Sequence, residues 1–191
     1  MRNQRFSKLL QTVNPVSFCD GKQIFLDFMT ENVIHNQGLL VVAPSGSGKT
    51  YFVNHQSEPH WIDGDRLWIA TGAHLDRAWW TEGTKVINEV QQRSDIISNY
   101  AKKLGLWVIG TDCYWLVPDA IVLPDWEIQK ANILEREMYH YDGGAKSTDH
   151  NQVLAHRDYL SKLAERKNIP VFKTILEMDS YFKERISNKG D

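Results

Sequence analysis

Ala43-Pro44-Ser45-Gly46-Ser47-Gly48-Lys49-Thr50 brings two glycines, a lysine and several hydroxyl groups into one short stretch. Residues of these types at this spacing can hold a chain of phosphates. Gly46 and Gly48 let the backbone curl until several N–H groups converge on an anion. Lys49 then reaches the β- and γ-phosphates of a nucleoside triphosphate such as ATP, and the Thr50 hydroxyl ligates Mg²⁺. Ala43 stands where the usual phosphate-loop pattern has its first glycine. A Gly/Ser-rich turn before an ordinary helix is the plainer alternative.

Three further groups could do chemistry. Ile62-Asp63-Gly64-Asp65-Arg66 places two carboxylates and a guanidinium together. Asp63 can orient or deprotonate an acceptor hydroxyl, with Asp65 as second choice, and Arg66 can hold an acceptor phosphate. Arg77 and the adjacent Trp79 and Trp80 form the next group. Neighbouring tryptophans point to different faces of any regular element, so at least one can stack on a base, or both can pack into the core. Asp112 closes the buried stretch 106–112 and is the last candidate, either as a site residue at a strand end or as a simple strand-end cap.

The elements that must position these groups follow from the hydrophobic pattern. Leu39–Val42 is an apolar run typical of a buried parallel strand, and Lys49–His55 continues as a helix. That order of strand, loop and helix is what phosphate binding at 43–50 requires. Residues 1–36 predict a helical preface, with Phe25, Phe28, Met29 and Ile34 at near-helical spacing within Gln23–His35. His60–Asp63 predicts a short strand and Gly64–Arg66 a turn. Val86, Val90, Ile97 and Ala101 mark an amphipathic helix over Lys85–Lys103. Asp119–Pro124 predicts a strand and Asp125 a cap for a helix over Trp126–Tyr139. A polar, Gly-containing loop, a second helix to about Arg166, a last strand at Asn168–Phe172 and a closing helix complete the chain. Strands and helices alternate throughout, which predicts an α/β sandwich with a mostly parallel sheet in one domain, residues 1–191.

The 43–50 stretch followed by Asp-Gly-Asp-Arg resembles the P-loop kinases of the nucleoside-monophosphate and polynucleotide kinase group. The resemblance implies the three-layer P-loop NTPase sandwich with a helical lid over about residues 126–166. It implies that Asp63 serves as base or substrate anchor and that residues 67–83 cover the acceptor. It also implies that a lid cation, with Arg136, Lys146 and Arg157 as candidates, neutralises charge on the transferred phosphoryl group. It implies that Asp112 contacts Mg²⁺, often through water, or the acceptor; the family often continues after that residue with an aromatic and an arginine, whereas Cys113-Tyr114-Trp115 has no arginine.

The expectation is an ATP- and Mg²⁺-dependent kinase acting on a nucleotide or nucleic-acid acceptor. A hydroxyl on a modified DNA base such as 5-hydroxymethyluracil is one form suggested by the resemblance. A small-molecule hydroxyl kinase and an ATPase coupled to a protein partner are the alternatives. The ATPase lacks support from any extended acidic pair after Leu106–Ile109. A net charge of -2 over 191 residues gives no overall basic footprint for duplex DNA. Cys19 and Cys113 are far apart and read as reduced thiols of a cytoplasmic protein. No signal peptide or membrane span is expected, and the pattern leaves the oligomeric state open.

Overall fold

A computed structural model describes residues 24–74, 79–139 and 144–187. In chain order the elements are α1 (Ile24–Glu31), β1 (Leu39–Val42), α2 (Lys49–His55), β2 (Trp61–Asp63), α3 (Gly64–Ala70) and α4 (Thr84–Lys103). They continue with β3 (Trp107–Gly110), β4 (Ala120–Val122), α5 (Trp126–Met138), α6 (His150–Lys167), β5 (Val171–Phe172) and α7 (Ile175–Ser187). The strands form one parallel sheet in the order β2-β3-β1-β4-β5. Every residue of β1, β2, β3 and β4 is buried, as apolar strands covered on both faces must be. The fold is therefore α/β, compatible with three layers. From β1 the chain runs to one side of the sheet for β2 and β3, then crosses to the other for β4 and β5. The carboxyl end of β1 is thus a switch point, where open α/β sheets leave a crevice. Residues 43–50 leave the sheet there.

The chain divides into two compact units. One draws on Met1–Leu39, Gln56–Val108 and Cys113–Leu116, the other on Leu40–His55, Ile109–Asp112 and Val117–Asp191. In the first unit Trp61, Leu67, Trp68, Leu106 and Trp107 are almost completely buried. Trp68 and Trp107 each satisfy the indole N–H, through Ser98 Oγ and the Gln37 carbonyl, both at 3.0 Å. Helix α1 stops at Glu31, short of the expected His35, because the backbone finds distant partners. Val33 N–H donates to the Pro59 carbonyl and His35 N–H to that of Gly105, each at 2.9 Å. The predicted turn at Gly64–Arg66 is instead the first turn of α3. Asp63 is its N-cap, with Oδ1 accepting the Asp65 N–H at 2.9 Å. Asp-Gly signals a turn locally, but a cap followed by Leu67, Trp68 and a core to bury them propagates a helix.

In the second unit Asp119 sets the pairing of β1 with β4. Its N–H donates to the Leu40 carbonyl and its Oδ2 accepts the Leu40 N–H, both at 2.7 Å. Val41 then lies opposite Ala120 and Val42 opposite Ile121. Strand β5 pairs with β4 through Ile121 and Val171 and is shorter than predicted. Pro170 has no N–H to extend the ladder, although its carbonyl accepts from Ile121 at 3.0 Å. Asp125 sits at the N-cap position of α5 without a side-chain cap bond, contrary to expectation. Its Oδ1 faces Lys173 Nζ at 3.0 Å instead. Among the described residues no helix is long and apolar enough to cross a membrane.

Helix α4 carries one polar feature that its apolar stripe does not predict. Asp95 is 1% exposed, and its Oδ2 accepts three successive backbone N–H groups, from Tyr114 at 3.1 Å, Trp115 at 2.6 Å and Leu116 at 2.9 Å. The Asp95 carboxylate thereby shapes the turn after β3. Asp95→Ala should lower unfolding free energy by about 2–4 kcal/mol, since donors lose a charged acceptor in a partly dry setting. Urea unfolding monitored by circular dichroism checks this; a change below about 0.5 kcal/mol would contradict it.

Candidate functional site

The loop at 43–50 belongs to the second unit and is built from β1 outward. The Ala43 N–H still follows the sheet, donating to the Gly110 carbonyl at 2.9 Å. Pro44 then starts a tight turn, in which Ser47 donates to the Pro44 carbonyl through N–H at 3.2 Å and Oγ at 2.5 Å. Gly46 and Gly48 adopt φ of +82° and +89°, where side chains are strained. The N–H groups of Ser45, Gly46 and Gly48 donate to no other group among the described residues. A Cβ on Gly48 would meet nothing within 4 Å. Lys49, 6% exposed, folds back so that Nζ donates to the Ala43 carbonyl at 2.9 Å and the Pro44 carbonyl at 3.4 Å. Thr50 is exposed on α2. The result is a turn with backbone donors unclaimed among the described residues and an ammonium at its base.

Helix α5 holds the other side of this turn. Gln129, Asn132, Ile133 and Arg136 recur at helical spacing and form one stripe. Gln129 Nε2 donates to the Ser45 carbonyl at 2.5 Å, and Asn132 Nδ2 to the Gly46 carbonyl at 2.9 Å. Ile133 fills the space beside Gly46, where an added Cβ would stand 2.6 Å from its Cγ1. Arg136 Nη2 donates to the Ala145 carbonyl and lies 3.4 Å from Ser45 Oγ, which also accepts the Ala145 N–H at 3.0 Å. Gly144 is equally close: a Cβ there would meet Ser45 Oγ at 2.8 Å and Arg136 Nη1 at 2.9 Å. The segment at 144–145 thus straps Ser45 from above the helix stripe. Arg157 Nη1 on α6 donates to Gln129 Oε1. Its guanidinium lies 6.0 Å from the Trp126 ring centre. Burial lowers the Arg157 pKa, and the charge of Asp125 opposes that shift.

Of the three expected lid cations, Arg136 contacts the loop directly, Arg157 contacts it through Gln129, and Lys146 is exposed. Gln129 and Asn132 were not expected from the sequence. The signal in the sequence was only an amide pair at i, i+3 inside an otherwise amphipathic helix; the complete burial of Gln129 is seen in the fold. A buried polar side chain is informative where an exposed one is not. Asp112 lies just beyond β3, with His156 Nε2 3.5 Å from its Oδ1. Among the described residues no three His, Cys, Asp or Glu converge as a metal cage. Thr50 and Asp112 are a donor set of the kind Mg²⁺ uses when phosphates and water supply the remaining ligands.

The other expected site residues lie in the first unit. Asp63 is 6% exposed and engaged as the cap of α3. Arg66 is exposed, 3.1 Å from Glu31 Oε2 and 5.5 Å from the Phe28 ring centre. Trp79 and Trp80 share a short 3₁₀ turn and meet edge to face at 5.7 Å. Trp79 packs on His74 at 5.0 Å, while Trp80 is 38% exposed. His74 in turn packs on Trp68, and burial lowers its pKa from 6.5 against the opposing charge of Asp65. Arg77 lies outside the described residues.

Gly46→Ala should lower Tm, because it meets both the positive φ and the Ile133 contact. Differential scanning fluorimetry checks this. An unchanged Tm would show that the loop is not held as described.

Compared with known proteins, the sequence matches no family model and no curated protein.

Proposed function

We propose that this chain is an ATP-dependent phosphotransferase of the P-loop type, moving the γ-phosphoryl group of ATP to a nucleotide or nucleic-acid acceptor. One observation carries the reading: the loop at 43–50 leaves a buried strand at a switch point, presents backbone N–H groups with no acceptor among the described residues, and keeps Lys49 at its base. Polyphosphate supplies the acceptors that such a turn lacks. Lys49 exchanges neutral carbonyls for phosphate oxygens, a stronger charge-assisted partnership. Thr50 and Asp112 are the residues that would hold Mg²⁺, and the ion when bound supplies further neutralisation of phosphate charge.

The sequence pattern offers Asp63, Asp65, Arg66, Arg77, Trp79 and Trp80 as the candidate acceptor residues. For a hydroxyl acceptor the new bond joins that oxygen to the γ-phosphorus, the bond to the β-phosphate oxygen breaks, and ADP leaves. The sequence pattern makes Asp63 the candidate base for the hydroxyl proton. For a nucleoside monophosphate the acceptor is already an anion, and Arg66 or Arg77 holds its phosphate. Arg66 can change partner at little cost, because an exposed pair such as Arg66–Glu31 contributes only about 0–1 kcal/mol. Trp80 offers an outward face for a flat base. Catalysis of this kind is mostly positioning and charge neutralisation.

Transfer of labelled γ-phosphate from ATP tests the proposal. Nucleoside monophosphates, 5′-hydroxyl oligonucleotides, 5-hydroxymethyluracil-containing DNA and small polyols serve as acceptors. Label should appear on the nucleotide or nucleic-acid class, and Lys49→Ala should reduce it by about 10²-fold or more. Label on polyols alone, or only in free phosphate, would replace the proposed acceptor or the transferase reading respectively.

Asp63→Asn separates chemistry from folding. Asparagine caps a helix as well as aspartate does, so α3 should persist and Tm should change little. With a hydroxyl acceptor kcat should fall by about 10²-fold while ATP affinity holds. An unchanged kcat removes Asp63 as the base.

A further inference from the structure

We infer that Gln129 and Asn132 are positioning residues that impose the anion-receiving conformation on the loop at 43–50, and that Arg157 fixes which end of the Gln129 amide faces it. This rests on the proposed role of the loop in receiving polyphosphate. A trans peptide is planar, so its C=O and the following N–H point in opposite directions. The described residues include no cis peptide. Gln129 takes the Ser45 carbonyl at 2.5 Å, so the Gly46 N–H of the same plane points away from α5. Asn132 takes the Gly46 carbonyl at 2.9 Å, which fixes the next plane so that its N–H, that of Ser47, closes the turn on the Pro44 carbonyl at 3.2 Å and the Gly46 plane is held from both ends. The helix captures acceptors of the loop, and the loop's opposite side is left with donors.

Glycine at positive φ tolerates more than one peptide orientation, so sequence flexibility alone does not select this one. The selection comes from the polarity of the amide. A glutamine can present either NH₂ or C=O, and the two have opposite consequences. Presenting C=O would attract the Gly46 N–H toward α5 and turn the Ser45 carbonyl outward, which repels phosphate. Arg157 removes that option, because its Nη1 donates to Gln129 Oε1 and leaves only Nε2 for the loop. Gln129 is completely buried, so water cannot replace either bond. The order of control runs from Arg157 on α6, through Gln129 on α5, to the peptide between Ser45 and Gly46.

The test is calorimetric titration of inorganic tripolyphosphate into the full chain. Gln129→Glu keeps size and the Arg157 bond but offers only acceptors to the loop; it should weaken binding about 10- to 100-fold. Gln129→Leu and Asn132→Asp should each cost about tenfold, the magnitude of one buried hydrogen bond. Asn132 is only half-buried, so its variant reports even where Gln129 substitutions fold poorly. Met178→Ala, in the core away from the loop, should lower Tm and keep wild-type affinity. Arg157→Leu should weaken binding in the wild-type background and add nothing to Gln129→Leu, because it acts through that residue. Additive losses would mean that Arg157 touches phosphate itself and would overturn the order of control. Wild-type affinity in Gln129→Glu and Asn132→Asp would overturn the positioning role while leaving the polyphosphate reading intact. No binding by the wild-type chain would overturn both.

Discussion

The hydrogen bond from Gln129 to the Ser45 carbonyl is the constraint on which the loop at 43–50 depends. It joins a fully buried amide to a backbone group in a turn whose glycines could adopt other conformations. Asn132, Ile133 and Arg136 act on the same turn from the same stripe of α5, and the strap at 144–145 closes on Ser45. A turn with two positive-φ glycines pays a large entropic cost to become ordered. Here four side chains of one helix and a backbone segment divide that cost among several short contacts. Their loss would not unfold the sheet, but it would let the turn sample orientations in which its donors no longer converge.

Carboxylates in the other unit show the complementary solution. Asp95 collects three backbone N–H groups, and Asp63 collects the N–H of Asp65 at the start of α3. In both places an internal carboxylate supplies the acceptor for backbone N–H. The loop at 43–50 leaves the N–H groups of Ser45, Gly46 and Gly48 without an acceptor among the described residues. This contrast is the physical basis for assigning the external anion to that loop rather than to the turn at 113–116.

The cations are also divided by use. Lys49 and Arg136 bond to carbonyls of the loop and its strap, and Arg157 bonds to Gln129. Arg66 stays at the surface with Glu31. The second unit therefore uses buried Lys49 and half-buried Arg136 and Arg157 first to shape the loop. A cation that shapes a turn is already desolvated and held near it, which lowers the cost of engaging a phosphate there.

Residue type and period determined the α/β class, the parallel strands and the place of the loop after β1. Those features depend on contacts near in sequence and on continuous apolar runs, as at Leu39–Val42 and Leu106–Ile109. The same local information read Gly64–Arg66 as a turn and Asp125 as a cap. Both changed because burial of Leu67 and Trp68, and the pairing of Asp125 with Lys173, are decided by residues distant in the chain. Gln129 was illegible for a related reason: a glutamine in a helix is ordinary until its neighbours bury it completely. Only the tertiary structure brings α5 against the loop, so only it decides which carbonyls are taken and which N–H groups remain. The glycines and the lysine were specified by sequence; the direction in which the turn presents its donors is set by packing across many residues of chain.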